Sequence, residues 1–210
     1  LLFWSSAFIC NKIGLQYLSP GDLAFYRYFW GSWFFVIFAL FGKIQLPKKA
    51  DLPRLFACGL FGVCLYNIML YTGQKRIPAG TASLLTNTAP VFTAVLSILV
   101  WKERLSWQGW AGMLISIVGV ILIVMGKYGT ISLEIGALFA LGAAISISIY
   151  FIIQRPLYSQ YSSLEIIAFT IWAGDIFLFL FSSFDIGTFL ELPIHIHGLI
   201  VYLGVFPGAI

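Results

Sequence analysis

Between Gly80 and Val124 the chain holds two apolar runs, each about long enough to cross a bilayer, joined by the short charged knot Lys102-Glu103-Arg104. Pro90 sits near the middle of the first run. Gly109, Gly112, Ser116 and Gly119 follow one face of the second. A pattern of this kind folds as a hairpin of membrane helices, one broken and one able to pack closely. The rest of the chain is built the same way. Of its 210 residues 60% are hydrophobic and only 10% are charged, against about 25% charged in an ordinary soluble domain. Backbone polar groups in lipid must be satisfied internally, so the fold class is an all-α integral membrane protein, a polytopic helical bundle. A β-barrel is excluded, since its strands alternate over about 10 residues, whereas these runs remain apolar for about 20.

Eight helical segments are expected, at about 1–17, 22–42, 53–74, 80–101, 107–126, 133–154 and 163–184, with the eighth starting near 197. Short connections carry the punctuation, including Ser19-Pro20-Gly21, Pro47-Lys48-Lys49, Pro78, Pro156 and Pro193. Connections after the second, fourth and sixth segments hold Lys43, Lys48, Lys49, Arg54, Lys102, Arg104 and Arg155; the others hold only Lys75, Arg76 and Lys127. By the positive-inside rule the first set, and with it the N-terminus, is cytoplasmic. The net charge of +4 thus reflects topology, and no nucleic-acid partner is expected. The first residue is not Met and both ends lie in apolar runs, so the sequence reads as a fragment of a longer chain.

A faint internal repeat accompanies these segments. A shift of 143 positions lays Ser5 on Ser148, Lys12 on Arg155, Ser19 on Ser162 and Asp22 on Glu165; a slightly larger one lays Gly59-Leu60-Phe61 on Gly204-Val205-Phe206. Five helices would then form one unit and the remainder would begin a second of inverted topology, a plan that places a solute site between the units.

Several residues carry candidate chemistry. Pro90 frees the carbonyl of Thr86, with Asn87, Thr88 and Thr93 nearby, and either lines a solute path or makes a kink satisfied by neighbours. Ionisable groups inside a membrane are costly. Lys12, beside Asn11, and Arg27 either snorkel to the interface or belong to the path. Asp175 is too short to snorkel, should face the bundle or a cavity, and is the candidate for a coupling proton. Among the aromatics, Trp4, Tyr66, Tyr71, Tyr150 and Trp172 are placed to line a cavity for an amphipathic solute. The stripe Gly136, Ala140, Ala144 and Ser148, and the one from Gly109 to Gly119, read as packing surfaces. Cys10, Cys58 and Cys64 read as small buried hydrophobes. His195 and His197, in the connection before the eighth segment, lack further ligands for a metal. Neither a P-loop nor a hydrolase motif is present, so no catalytic residue, cofactor or metal is assigned.

Trp4-Ser5-Ser6-Ala7-Phe8, Arg27, Gly59-x-x-Gly62, Ala82-Ser83-Leu84-Leu85, Pro90, Thr93-Ala94, Glu103-Arg104-Leu105, Gly112, Gly119 and Phe206-Pro207-Gly208 together resemble the drug/metabolite transporter superfamily, EamA type. Ser5 departs from the usual glycine. The resemblance implies ten helices in two inverted five-helix repeats. Residues 1–127 would form the first, and 130–210 an incomplete second, so that about seven and a half helices are present. It further implies a permease, not an enzyme, that moves small organic solutes such as amino acids, metabolites or drugs, often outward, by alternating access through a bacterial-type inner membrane. The expected partners are the solute, the lipid bilayer and a coupling proton. No oligomeric state is set, and a monomer fits. The expected path residues are Trp4, Asn11, Lys12, Arg27, Tyr71, Asn87, Pro90, Tyr150, Trp172 and Asp175. The alternative is a membrane enzyme acting on lipid or prenyl substrates, which would need acids or histidines clustered at one membrane face.

Overall fold

A computed structural model describes residues 2–42, 44–128 and 134–209, and their regular elements are all helical. They are α1 (Leu2–Gly14), α2 (Pro20–Leu40), α3 (Lys49–Arg76), α4 (Ala79–Trp101), α5 (Trp107–Tyr128), α6 (Ile135–Gln154), α7 (Ser163–Phe181), the short α8 (Ile186–Leu190) and α9 (Ile194–Ala209). The eight expected segments correspond to α1–α7 and α9. Among the described residues α2, α3, α4, α7, and α6 with the turn after it, are long and apolar enough to cross a membrane. The chain is a polytopic helical membrane protein. The expected boundary between repeats, at 127–130, runs into residues outside the described ones.

Five local features were not expected. A 3₁₀ turn at Lys49–Asp51 opens α3, and its middle, Gly59–Leu65, is a π-helix. A 3₁₀ stretch at Arg155–Ser159 extends α6. Helix α8 is additional, and His195 and His197 lie in the first turns of α9 rather than in a connection. The π stretch leaves carbonyls needing donors: Asn67 Nδ2 donates to Val63 O (2.7 Å) and Ser146 Oγ to Phe61 O (2.7 Å).

The core is a bundle of α2, α3, α6, α7 and α9, with α1 packed on α9 and α4 laid along α6. Glycines set its closest approaches. A Cβ on Gly174 of α7 would sit 2.4 Å from Val63 Cβ, and one on Gly204 of α9 would sit 2.4 Å from the Arg27 carbonyl oxygen. Ala140, Ala144 and Ser148 of the α6 stripe are fully buried, and a Cβ on Gly73 of α3 would meet Gly136 O at 2.8 Å. That stripe packs as expected. The α5 stripe differs: among the described residues nothing comes within 4 Å of a Cβ built on Gly112 or Gly119. Leu114, Ile115 and Leu122 leave α5 largely exposed, as a lipid-facing helix would be.

Helices α2 and α7 run antiparallel and are capped alike. Ser19 and Ser162 are their N-caps, both at φ −68° and ψ 159°, each accepting from the backbone N–H three residues on. Each of those third residues also reaches across to the other helix's far end. Asp22 accepts from Ser182 Oγ (3.0 Å), Ser183 N (2.8 Å) and Ser183 Oγ (2.9 Å), all just after α7. Glu165 accepts from Gln45 N (3.0 Å), just after α2. Near the middle of the pair, the Ser32 hydroxyl donates to Asp175, 143 positions away.

Helix α4 is broken where Pro90 requires it. Its first half ends at Thr86 and the second starts at Ala89. The break is dressed locally: Thr86 Oγ1 donates to Ala82 O (2.7 Å), Thr88 Oγ1 to Leu85 O (2.6 Å), and Thr93 Oγ1 and Ser148 Oγ both to Ala89 O (2.8 Å each).

Candidate functional site

A cavity of about 340 Å³ lies between α1, α2, α3, α6 and α7. Most of its wall is apolar or aromatic, with Phe8, Tyr28, Tyr66, Tyr150 and Phe151 among the lining residues. Its polar groups are few: Asn11, Arg27, Gln154 and Thr170. A small, mainly apolar chamber with a handful of polar groups suits a small organic ligand. Phe151, Tyr158 and Ile167 are 40%, 50% and 36% exposed and form its mouth, near the C-terminal end of α6 and the start of α7.

Arg27 defines the opposite side. It is buried, seven residues into α2. Its Nε donates to Leu203 O (3.1 Å) and its Nη1 to Tyr71 Oη (2.7 Å). Leu203 O is available because the residue four places on, Pro207, has no N–H to offer it. Tyr71, itself fully buried, donates to Asn11 Oδ1 (3.2 Å). The guanidinium carbon stands 5.1 Å from the centre of the Tyr28 ring, and Asn67 Nδ2 donates to the Tyr28 hydroxyl (3.2 Å). Among the described residues no carboxylate pairs with Arg27; the one ion pair found there joins Arg155 to Glu103 (2.5 Å) at the surface.

The cavity wall is organised in matched positions. Ala7 and Tyr150, Phe8 and Phe151, Asn11 and Gln154, Arg27 and Thr170, and Tyr28 and Ile171 all line it, and each pair has the 143-position spacing of Ser32 and Asp175. The first member always comes from α1 or α2, the second from α6 or α7. The match is in place, not in chemistry: a cation stands opposite a neutral hydroxyl residue, and small Ala7 opposite a tyrosine.

The expected path residues fall into three groups. Asn11, Arg27 and Tyr150 line the cavity, with Tyr71 directly behind Arg27. Lys12, Trp172 and Asp175 do not line it. The Lys12 ammonium donates to the carbonyls of Gln74 and Ile77 (3.1 Å for the latter), at the end of α3, where a cation complements the helix dipole. Trp172 Nε1 donates to Ser32 O (3.4 Å). Asp175 has Ser32 as a partner and, among the described residues, no cation, and lies in the seam between α2 and α7. Asn87 and Pro90 are exposed; Pro90 borders a separate open groove with Thr93, Ser97 and Glu103. Helix α1 carries Trp4, whose side chain lies outside the described ones. Tyr28, Gln154 and Thr170 were missed, yet the shift of 143 applied to Asn11 and Arg27 lands on the last two.

Comparison with known proteins agrees with this architecture. The model of the EamA-like transporter family matches residues 1–125. The uncharacterized transporter YdfC of Bacillus subtilis is 38% identical over 207 residues, covering 99% of this chain and 68% of the relative. A probable terminal-alkyne amino-acid exporter of Streptantibioticus cattleyicolor is 32% identical, covering 99% of this chain and 69% of the relative. A crystal structure with 19% identity superposes with a TM-score of 0.64 over 100% of this chain and 75% of that one, a likeness of fold. The chain belongs to the EamA-like transporter family of drug/metabolite transporters, and is a transporter, not an enzyme acting on lipid or prenyl substrates.

Proposed function

We propose that this chain is part of a secondary transporter that moves a small organic solute, amino-acid-like in size, outward across a bacterial-type plasma membrane by alternating access. Residues 1–127 form one five-helix repeat and 130–210 the start of an inverted second. The N-terminus is cytoplasmic, and the cavity is the solute path. The observation that carries this reading is the set of five lining pairs spaced like Ser32 and Asp175. Equivalent residues touch one another only close to a pseudo-twofold axis. An axis through the Ser32–Asp175 contact, with matched positions on both sides of the cavity, is the geometry inverted repeats give to a midplane site.

The volume of about 340 Å³ is at the small end of ligand pockets, which suits a metabolite better than a bulky drug. Outward movement is supported by the name of the Streptantibioticus relative. Orientation follows from Lys48, Lys49, Arg54, Lys102, Arg104 and Arg155, which gather at the end of the bundle where the mouth opens. A coupling proton on Asp175 acts from the α2–α7 seam, through Ser32, on how the two helices pack.

Flux tests the whole reading. The protein reconstituted in liposomes should move members of an amino-acid panel, faster with an opposing proton gradient than without, and Asp175→Asn should remove the gradient dependence while leaving exchange of solute. Absence of flux for every solute would sink the transporter reading, and unchanged gradient dependence in Asp175→Asn would remove the proton from that residue.

A further inference from the structure

The two halves of the cavity are matched in position but carry different charge, and this difference assigns a ligand chemistry. Arg27 is a guanidinium in a buried, largely apolar chamber with no carboxylate among the described residues to pair with it. Two of its N–H groups are held by Leu203 O and Tyr71 Oη. The others, including all of Nη2, have no partner among the described residues. The bonds that are made fix the plane of the fork. Its Nε is held by α9, its Nη1 by α3, and Tyr28 stands beside it.

A second polar atom is also unmatched. Gln154, at the position equivalent to Asn11, is 6% exposed, and among the described residues its Oε1, like Thr170 Oγ1, has no hydrogen-bond partner. The two amides are therefore not in the same condition. Asn11 Oδ1 already accepts from Tyr71, while Gln154 offers a free acceptor on the far side of the cavity. Arg27 and Thr170 each lie five residues from the Ser32–Asp175 contact, on opposite sides of it along two antiparallel helices. At 1.5 Å rise per residue, the two polar regions are separated along the helices by about 15 Å.

Resting on the reading of this cavity as the solute path, we infer that its ligand is a carboxylate-bearing solute with an apolar or aromatic body. Its carboxylate is held by Arg27 and an N–H or O–H at its far end donates to Gln154 Oε1. A planar fork with free N–H groups suits a carboxylate, and the pair is strong where water is scarce. Phe8, Tyr66 and Tyr150 line the space between the two ends. Thr170, the neutral counterpart of Arg27, makes the cavity polar in one direction, so the solute enters in one orientation.

Binding of matched probes to the purified protein in detergent tests this, read as the shift in melting temperature with concentration. Tyrosine, phenylalanine, tyrosinamide, leucine and leucinamide are the probes. Tyrosine should bind best, phenylalanine several-fold more weakly, and each amide on the order of tenfold or more below its acid. In Gln154→Met tyrosine and phenylalanine should become equal, and in Arg27→Lys the preference for acid over amide should shrink while persisting. Amides that bind as well as acids overturn the inference, as does a panel in which no carboxylate binds. The wild-type comparison stands even if a variant fails to fold. Carboxylate-selective binding without flux in liposomes would remove the transport reading and leave the Arg27 assignment intact; flux of amides at the rate of acids would do the reverse.

Discussion

The two ends of the α2–α7 pair are closed by different means. At the Gly21 end the helices touch backbone to backbone: a Cβ on Gly21 would lie 2.0 Å from Phe181 O. Asp22 then ties down Ser182 and Ser183 with three hydrogen bonds, and the Ser19 hydroxyl adds another at 2.5 Å. At the Glu165 end the helix position equivalent to Gly21 is Leu164, and the connection after α2 spans the gap. There Glu165 holds Gln45 N, Tyr161 accepts from Lys48 N (2.9 Å) and donates to Asp51 (2.9 Å), and Lys48 Nζ donates to Gln160 (2.9 Å). The exposed lining residues of the cavity, Phe151, Tyr158 and Ile167, lie toward this second end. A helix-on-helix clamp leaves no room for a solute, whereas a loop held by side chains can be released bond by bond. The difference teaches that one end of the helix pair is closed by packing and the other by a strap, which on the proposed function are the two access sides.

The largest effect expected from disturbing this contrast is at Gly21. Gly21→Ala must push apart two backbones, at a cost of about 3 kcal/mol, and should lower the melting temperature of the detergent-solubilised protein markedly or prevent its recovery. Leu164→Ala, at the other end, should cost less. A Gly21→Ala protein as stable as wild type would remove the clamp. The carboxylates come next. Asp22→Ala takes the charged acceptor away from the partly buried donors of Ser182 and Ser183 and should cost about 2 kcal/mol. Glu165→Ala, more exposed, loses a capping box worth about 1 kcal/mol. Chemical denaturation of the helical signal would rank them, and the reverse order would contradict the contrast between the ends. The smallest effect belongs to the surface pair Arg155–Glu103. Arg155→Ala should cost under about 1 kcal/mol, and less at high salt; a cost as large as that of Asp22→Ala would show that the strapped end is held more tightly than its geometry suggests.

Much of the fold was legible because apolar runs of about 20 residues have few alternatives in a bilayer. The π stretch in α3 was not, since it depends on Gly59 fitting against Gly174 and on Asn67 and Ser146 supplying donors from a distance. In the site, Arg27 and Asn11 stood out because charge and amide are rare in apolar helices. Pro90 stood out equally, but its break is satisfied by nearby threonines and Ser148, and it does not reach the cavity. Lys12 was ambiguous between two roles until the end of α3 supplied its carbonyl partners. Gln154, at the end of α6, and Thr170, a lone hydroxyl in an apolar helix, carry no local signal. Only the repeat pointed to them, through their counterparts.

Filling the cavity tests the central claim most directly. Ala7 lines the chamber opposite Tyr150, its counterpart at the 143-position spacing. In liposomes containing Ala7→Trp, solute flux should fall to the level of empty liposomes while helix content and a monodisperse elution profile are kept. Flux at the wild-type rate through a protein carrying an indole in that space would show that the solute passes elsewhere.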